Sequence, residues 1–248
     1  MAAEDGTKGA LRLTIVVPAY NEEHRLVPTL EAMERWLDAR GESFEVVVVD
    51  DGSRDATLAI ARDFATRHPA FRAIALPENR GKGAAVRQGF SASRGDLVLF
   101  SDADLSTPMD ELDRLRAALE NGGGLAIASR ALPDSNLEVR QAWYREAMGK
   151  TFNAIVRLAT GLPVHDTQCG FKLLRGEDAR AIAGQMREDG FSFDVELLLL
   201  AGRRGLAVRE VPVTWRNDEG SRVSPVGDAL AMLLSLPRIV GRTGRYRG

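Results

Sequence analysis

The sequence predicts an α/β fold, a single mostly parallel sheet with helices on both faces. Short apolar, often β-branched runs alternate with amphipathic segments of helical period, and the polar clusters fall at the ends of the apolar runs. The length agrees: 248 residues, 44% of them hydrophobic, suit one sizeable domain and are short for two independent ones.

Residues Met1 to Ala10 are small and polar, with no apolar period to offset the entropy of ordering, and are expected to form a flexible tail. Leu13 to Val17 then reads as a strand, Glu22 to Arg40 as a helix, Phe44 to Val49 as a fully buried strand and Ser53 to Arg67 as a helix. Phe71 to Leu76 (strand), Lys82 to Ser93 (helix) and Asp96 to Ser101 (strand) repeat the alternation. A helix over Pro108 to Asn121, with proline in its first turn, and a strand over Leu125 to Ser129 continue it.

After Arg130 the rhythm changes to a Pro/Asp/Ser/Asn loop, an amphipathic segment from Gln141 to Thr160 and a polar loop at His165 to Cys169. A strand at Phe171 to Leu174, helices over Glu177 to Met186 and Phe193 to Arg203, and a strand at Ala207 to Val213 follow. The expected organisation is a tail over 1–10, a folded domain over 11–225 in halves of 11–130 and 131–225, and an amphipathic, basic segment over 226–248.

Several classes of function are disfavoured. A formal net charge of -2 gives no global basic field for nucleic acid. Cys169 is the single cysteine, so no intrachain disulfide can form, and with no secretory signal a reducing, cytosolic location is expected. No stretch approaches the roughly 18–20 apolar residues that span a bilayer. No Gly-x-Gly-x-x-Gly follows the first strand, which argues against a dinucleotide dehydrogenase, and Asn79-Arg-Gly-Lys-Gly83 lacks the full P-loop pattern.

In a sheet of this kind the ligand crevice lies beyond the carboxyl ends of the strands, where four clusters fall. Asp102-Ala-Asp104 closes an apolar strand; two carboxylates at this spacing can share Mg²⁺ or Mn²⁺ with the oxygens of a diphosphate, though an Asp-x-Asp pair also makes a plain turn. Asp50-Asp51-Gly52-Ser53 offers carboxylates to the N–H groups of a base and a glycine for close backbone approach, and would equally serve as a helix cap. In Pro18-Ala-Tyr20-Asn-Glu22, Tyr20 presents an aromatic face and Glu22 an acceptor for ribose hydroxyls, while Asn21 could cap a helix. Lys82, opening a helix from a Gly-rich loop, could meet an anion.

In combination and order these four motifs closely resemble glycosyltransferase family 2, and the resemblance covers roughly Leu13 to Arg222. Asp166-Thr-Gln-Cys-Gly-Phe-Lys172, Phe193-Asp-Val-Glu-Leu197 and Val211-Pro-Val-Thr-Trp215 extend it to the dolichyl-phosphate (polyprenyl-phosphate) β-glucosyltransferase-like branch. The resemblance implies the A-type, Rossmann-like fold and an inverting, metal-dependent transfer of a hexose, glucose from UDP-glucose, to a polyprenyl phosphate at the cytosolic membrane face. It implies that Asp50 and Asp51 contact the base, Asp102 the ribose and diphosphate side, and Asp104 the metal, with Pro18, Tyr20 and Glu22 lining the nucleoside pocket. Where related mannosyl enzymes carry Gln two residues beyond the second Asp, this chain has Ser106.

A phosphate monoester acceptor needs cations rather than a general base, since its second pKa of about 6 leaves it largely dianionic at pH 7. Arg130, Arg140, Arg216 and Arg222 lie in expected loops, and Arg130 and Arg222 match the positions where the polyprenyl-phosphate branch places acceptor-binding residues. Asp194 and Glu196 lie where many members keep an acidic catalytic residue; at i, i+2 on a helix only one can face the site, and Asp194 is preferred. His165 and Asp166 could form a base and its orienter or a simple turn.

Trp143, Phe152, Ile155, Val156 and Ala159 could form one apolar stripe, and Ala229 to Val240 another, for peripheral membrane contact or for core packing. Arg238, Arg242, Arg245 and Arg247 would add about 1 kcal/mol each toward an anionic surface. The competing readings are the same donor chemistry on a soluble acceptor, GDP-mannose as donor, a nucleotidyltransferase, and a non-catalytic nucleotide-sugar binder.

Overall fold

The computed structural model describes residues 11–139, 143–216 and 227–246. The order is β1 (Leu13–Ala19), α1 (Leu26–Asp38), β2 (Phe44–Asp50), α2 (Thr57–Arg67), β3 (Phe71–Ala75), α3 (Lys82–Ala92) and β4 (Leu97–Ser101). A 3-10 turn at Met109–Glu111 leads into α4 (Leu112–Glu120) and β5 (Leu125–Ser129). Then come β6 (Asn136–Val139), α5 (Trp143–Thr160), β7 (Phe171–Arg175), α6 (Gly176–Ala183), α7 (Phe193–Arg203), β8 (Val208–Pro212), β9 (Thr214–Arg216) and α8 (Gly227–Thr243). The expected tail, Arg140 and Arg222 lie outside the described residues.

Seven strands form one sheet in the order β3-β2-β1-β4-β7-β5-β8, and β6 pairs with β9 in a small separate sheet. Every pairing in the large sheet is parallel except those of β7, which runs antiparallel to both β4 and β5. The strand order reverses between β1 and β4, which puts a crevice beyond their carboxyl ends.

Side chains alternate across the strands and both faces are covered, which is why the strands read as near-continuous apolar runs. Leu13, Ile15 and Val17 of β1 join Leu30, Met33, Phe64 and Leu115 from α1, α2 and α4. Val16 faces the other way, with Val86, Phe90, Leu197 and Met232 from α3, α7 and α8. Within α1 the buried positions Leu26, Leu30, Met33 and Leu37 keep the spacing of one helix face.

Several boundaries differ from the sequence reading for local reasons. Asn21 takes a left-handed φ of 55°, and the Arg25 amide donates to the Glu22 carbonyl at 3.0 Å, so residues 22–25 form a turn and α1 starts at Leu26. α2 starts at Thr57, whose amide donates to Asp55 Oδ1 at 2.9 Å. Pro108 precedes the 3-10 turn instead of opening the helix. The strands β6 and β9, four and three residues long, are too short to carry a period and were not expected.

One buried carboxylate fastens the amino ends of the strands. Glu45, 2% exposed, accepts from Thr14 Oγ1 at 2.8 Å, the Arg94 amide at 2.9 Å, Arg94 Nη2 at 2.6 Å and Arg72 Nε at 3.0 Å. It thereby joins β1, β2, β3 and the turn into β4. Burial alone would raise its pKa, but the hydrogen bonds from Arg94 and Thr14 and the charge of Arg72 outweigh burial and hold it below the ordinary 4.5. A depressed carboxyl contributes stability that is present above its unfolded pKa and lost as pH falls through the folded one. Glu45→Gln is therefore expected to lower stability by about 1–3 kcal/mol at neutral pH. The deficit should shrink below about pH 4.5, as measured by urea unfolding at several pH values.

Candidate active site

The carboxyl ends of β1, β2 and β4 lie side by side. Ala19 is the register partner of Asp50, and the Asp51 amide continues the pairing by donating to the Ala19 carbonyl at 2.9 Å. Beyond the strands the two loops are laced together. The Asn21 amide donates to Ser53 Oγ at 2.9 Å, Asn21 Oδ1 accepts the Arg54 amide at 2.8 Å, and the Glu22 amide donates to Thr57 Oγ1 at 2.7 Å. Asn21 thus ties the first loop to the second instead of capping α1, and Glu22 pairs with Arg25. Pro18 ends up buried within β1, with Tyr20 half-buried beside it at the strand end.

The two carboxylates at the end of β2 do different work. Asp51 accepts the Arg80 amide at 2.9 Å, the Gly81 amide at 2.8 Å and Asn79 Nδ2 at 3.0 Å, so it clamps the loop that leads into α3 rather than capping α2. Burial, with the neighbouring Asp50 and Asp189, raises its pKa against those hydrogen bonds. Asp50 accepts only the Ser53 amide, at 3.2 Å on Oδ2, and its Oδ1 is buried with no hydrogen-bond partner among the described residues. A buried acceptor in that state is what an N–H donor of a ligand would satisfy. Gly52, at φ 67°, admits the backbone of the third loop: a Cβ there would stand 2.4 Å from the Glu78 carbonyl carbon.

Clamping that loop delivers Lys82 at the first residue of α3, where its Nζ sits 2.7 Å from Asp102 Oδ1. Burial would lower the lysine pKa, but the charges of Asp102, Asp194 and Asp104 raise it, so the ammonium is kept charged. Asp104 Oδ1 accepts the Ser106 amide at 2.9 Å, and the Ser106 carbonyl accepts the Arg216 amide at 2.8 Å. The Asp104 carboxyl is pushed up by burial and by the charge of Asp102.

Those two carboxylates could share a divalent cation. Their mutual repulsion would be relieved by a positive ion; no group of three or more His, Cys, Asp or Glu side chains placed to hold a metal occurs among the described residues, so further ligands would have to come from elsewhere. Mg²⁺ or Mn²⁺ held by one or two carboxylates takes its remaining ligands from water and substrate phosphates.

The motif from Asp166 to Lys172 supplies the next wall. The Asp102 amide donates to the Gly170 carbonyl at 3.0 Å, and a Cβ on Gly170 would stand 1.9 Å from Asp102 Oδ2. Lys172 is fully buried, with Nζ 2.5 Å from Asp194 Oδ1 and 2.7 Å from the Cys169 carbonyl. Asp194 is 4% exposed and its pKa is raised, burial being the main cause. Glu196 points the other way and accepts the amides of Arg187 and Glu188, both at 2.8 Å. The sequence pattern gave no role to Gly170 or Lys172; their functions depend on contacts that only the fold creates.

Arg130 is present at the end of β5, but its fork is turned onto Asp166, with Nε to Oδ2 at 2.7 Å and Nη2 to Oδ1 at 2.8 Å, and it lies over the Trp215 ring. That carboxylate holds the guanidinium charged despite burial. His165 contacts Glu210 at 2.9 Å, so it and Asp166 are not a base and its orienter. Arg216 pairs with Glu138.

Residues 14–182 match the sequence profile of Glycosyl transferase family 2. The dolichyl-phosphate β-glucosyltransferase of Drosophila melanogaster is 37% identical over 236 residues, covering 90% of this chain and 72% of the fly protein. The human enzyme of the same name is 33% identical over 234 residues, covering 89% and 72%. Glucosyl-3-phosphoglycerate synthase from Mycobacterium tuberculosis, solved with Mn²⁺ and UDP-glucose, superposes with a TM-score of 0.67 at 22% identity over 96% of this chain and 80% of that one. That likeness is one of fold, the A-type glycosyltransferase fold.

Because Asp102 fills the space where a Gly170 side chain would go, Gly170→Ala is expected to displace its carboxylate. Binding of Mn²⁺ should weaken by roughly tenfold, about 1.4 kcal/mol, in a calorimetric titration.

Proposed function

This chain belongs to glycosyl transferase family 2, and we propose that within it the reaction is transfer of glucose from UDP-glucose to a polyprenyl phosphate at a membrane surface, with inversion at the anomeric carbon. The observation that carries the acceptor is the state of the acids around the crevice. Among the described residues Asp166 is bound to Arg130, Asp194 to Lys172, and Glu210 to His165 and Ser129. None of these is poised to take a proton from a hydroxyl, and a phosphate monoester needs no such base. The names of the fly and human relatives support the same acceptor and sugar.

In this reading a phosphate oxygen of the acceptor attacks the anomeric carbon from the side opposite the nucleotide. The new C–O bond forms as the bond to the diphosphate breaks, and the nucleoside diphosphate leaves with the electron pair. Asp50 accepts from the base, and Asp51 holds the loop that aims Lys82. Pro18 and Tyr20 wall the nucleoside, and Glu22 reaches the ribose. Asp102 and Asp104 would hold the divalent cation, which stabilises charge developing on the leaving diphosphate. Lys82 adds a second positive charge on the same side. Asp194 is bound to Lys172, which makes its part electrostatic rather than that of a base. Arg130 and Arg222 are the proposed acceptor-phosphate residues, with Arg130 contributing the edge not used by Asp166.

Two helices support the surface location. Ile155, Leu158, Leu230 and Leu234 are the exposed large hydrophobic residues among those described, at 41%, 79%, 56% and 72%, and all lie on α5 and α8, which pack together. The expected stripe divides: Phe152 and Val156 turn into the core, while Ile155 stays outside. The side chain of Trp143 lies outside the described residues. Arg238 and Arg242 are engaged by Glu188, which reduces the charge available to an anionic surface. No helix among the described residues is long and apolar enough to cross a membrane.

The test is titration with UDP-glucose and GDP-mannose, each with Mn²⁺ and with EDTA, followed by turnover on a short polyprenyl phosphate or on soluble sugar acceptors. Metal-dependent binding of UDP-glucose and transfer to the lipid are expected; turnover only on soluble acceptors would refute the lipid assignment. Asp104→Asn is expected to abolish metal-dependent turnover while leaving the melting temperature near that of the parent. The acid limb of kcat/KM should follow the acceptor phosphate, falling below about pH 6 and flat above it.

A further inference from the structure

Lys82 is set in place from two directions, and the second is a loop about a hundred residues away in sequence. Residues 187–190 lie against the glycines that flank it. A Cβ on Gly81 would stand 2.5 Å from the Asp189 carbonyl oxygen, and one on Gly83 would stand 2.3 Å from that of Glu188. The Ala84 amide donates to the Asp189 carbonyl at 3.1 Å. The Asp189 carboxylate takes Arg80 Nη2 at 2.9 Å and Arg87 Nη2 at 2.6 Å, one arginine on each side of the glycine pair.

The far side of the same loop is held by α7 and α8. Glu196 of α7 accepts two of its amides. Glu188 accepts Arg238 Nη2 at 2.8 Å and Arg238 Nε at 3.2 Å, and pairs with Arg242, which also reaches Glu196 at 3.1 Å. Ser235 Oγ donates to Ser192 Oγ at 2.6 Å just before α7. Two exposed leucines, Leu230 and Leu234, stand on this same α8.

We propose that Glu188 and Asp189 are positioning residues for nucleotide-sugar binding, which hold Lys82 against Asp102 only while α8 is seated through Arg238 and Arg242. The proposal rests on the donor-site reading above and deepens it. The loop makes the geometry around the diphosphate depend on a helix that carries exposed apolar residues. An arrangement with one carboxylate facing the donor loop and the next facing α8 transmits displacement in either direction, because a packed loop has discrete seats rather than a continuum.

The experiment compares the full chain with Asp189→Asn, with the double variant Arg238→Gln/Arg242→Gln, and with Arg238→Lys/Arg242→Lys. Donor KM and kcat are measured alongside amide hydrogen exchange of residues 79–85 without ligand. The first two variants are expected to raise donor KM and to lower donor kcat/KM roughly tenfold, and to speed exchange in 79–85 selectively. The lysine double variant should restore both. Unchanged KM and exchange in the glutamine double variant would overturn the proposal, as would exchange that rises equally throughout the sheet. A parent chain that binds no nucleotide sugar would defeat the donor reading, and the exchange of 79–85 would still decide the coupling.

Discussion

Three carboxylates, Asp102, Asp104 and Asp194, crowd one end of the sheet, and the ammonium groups of Lys82 and Lys172 keep their repulsion in check. Charges removed from water in this way persist only when geometry is enforced from outside. The enforcement is visible at each member. Asp51 draws the loop over Asn79 to Gly81 toward β2, which sets the start of α3. Gly170 leaves room for Asp102, and the Cys169 carbonyl completes the shell of Lys172. The remaining imbalance lies at Asp102 and Asp104, and in the proposed reaction a cation and a diphosphate would offset it.

Much of this was legible in the sequence where local rules suffice. The β-branched run ending at Asp50 and the helix opened by Lys82 follow from period and punctuation, and the clusters at strand ends follow from the geometry of parallel sheets. What the sequence could not show depends on distant partners. Asp50 and Asp51 are adjacent and chemically identical, yet only the contact with residues 79–81 separates a loop clamp from an acceptor with a free oxygen. Likewise Arg130 looks like an open cation until Asp166 is placed beside it. An amphipathic helix such as α5 divides its apolar residues between core and solvent in a way that hydrophobicity alone cannot apportion.

The family resemblance rested on motifs, and the geometry gives those motifs separate physical reasons. Glycines in Asn79-Arg-Gly-Lys-Gly83 suit an anion-binding loop on paper, but in the fold they make room for the backbone of residues 188–189. The glycine and lysine of the Asp166 to Lys172 motif serve Asp102 and Asp194, respectively. Each motif is therefore half of a contact whose other half lies elsewhere in the chain.

The insertion of β7 between β4 and β5 has a consequence for the order of assembly. Strands β1 to β4 can pair as soon as they are synthesised, but β5 has no direct partner among them and waits for residues 171–175. Until then β4, with the sequence Leu-Val-Leu-Phe-Ser, is a bare apolar edge of the kind that recruits other chains. A nascent polypeptide halted after β5 would carry that edge exposed, so the growing chain is most prone to self-association while some seventy residues, counted from Ser101 to Phe171, are being added.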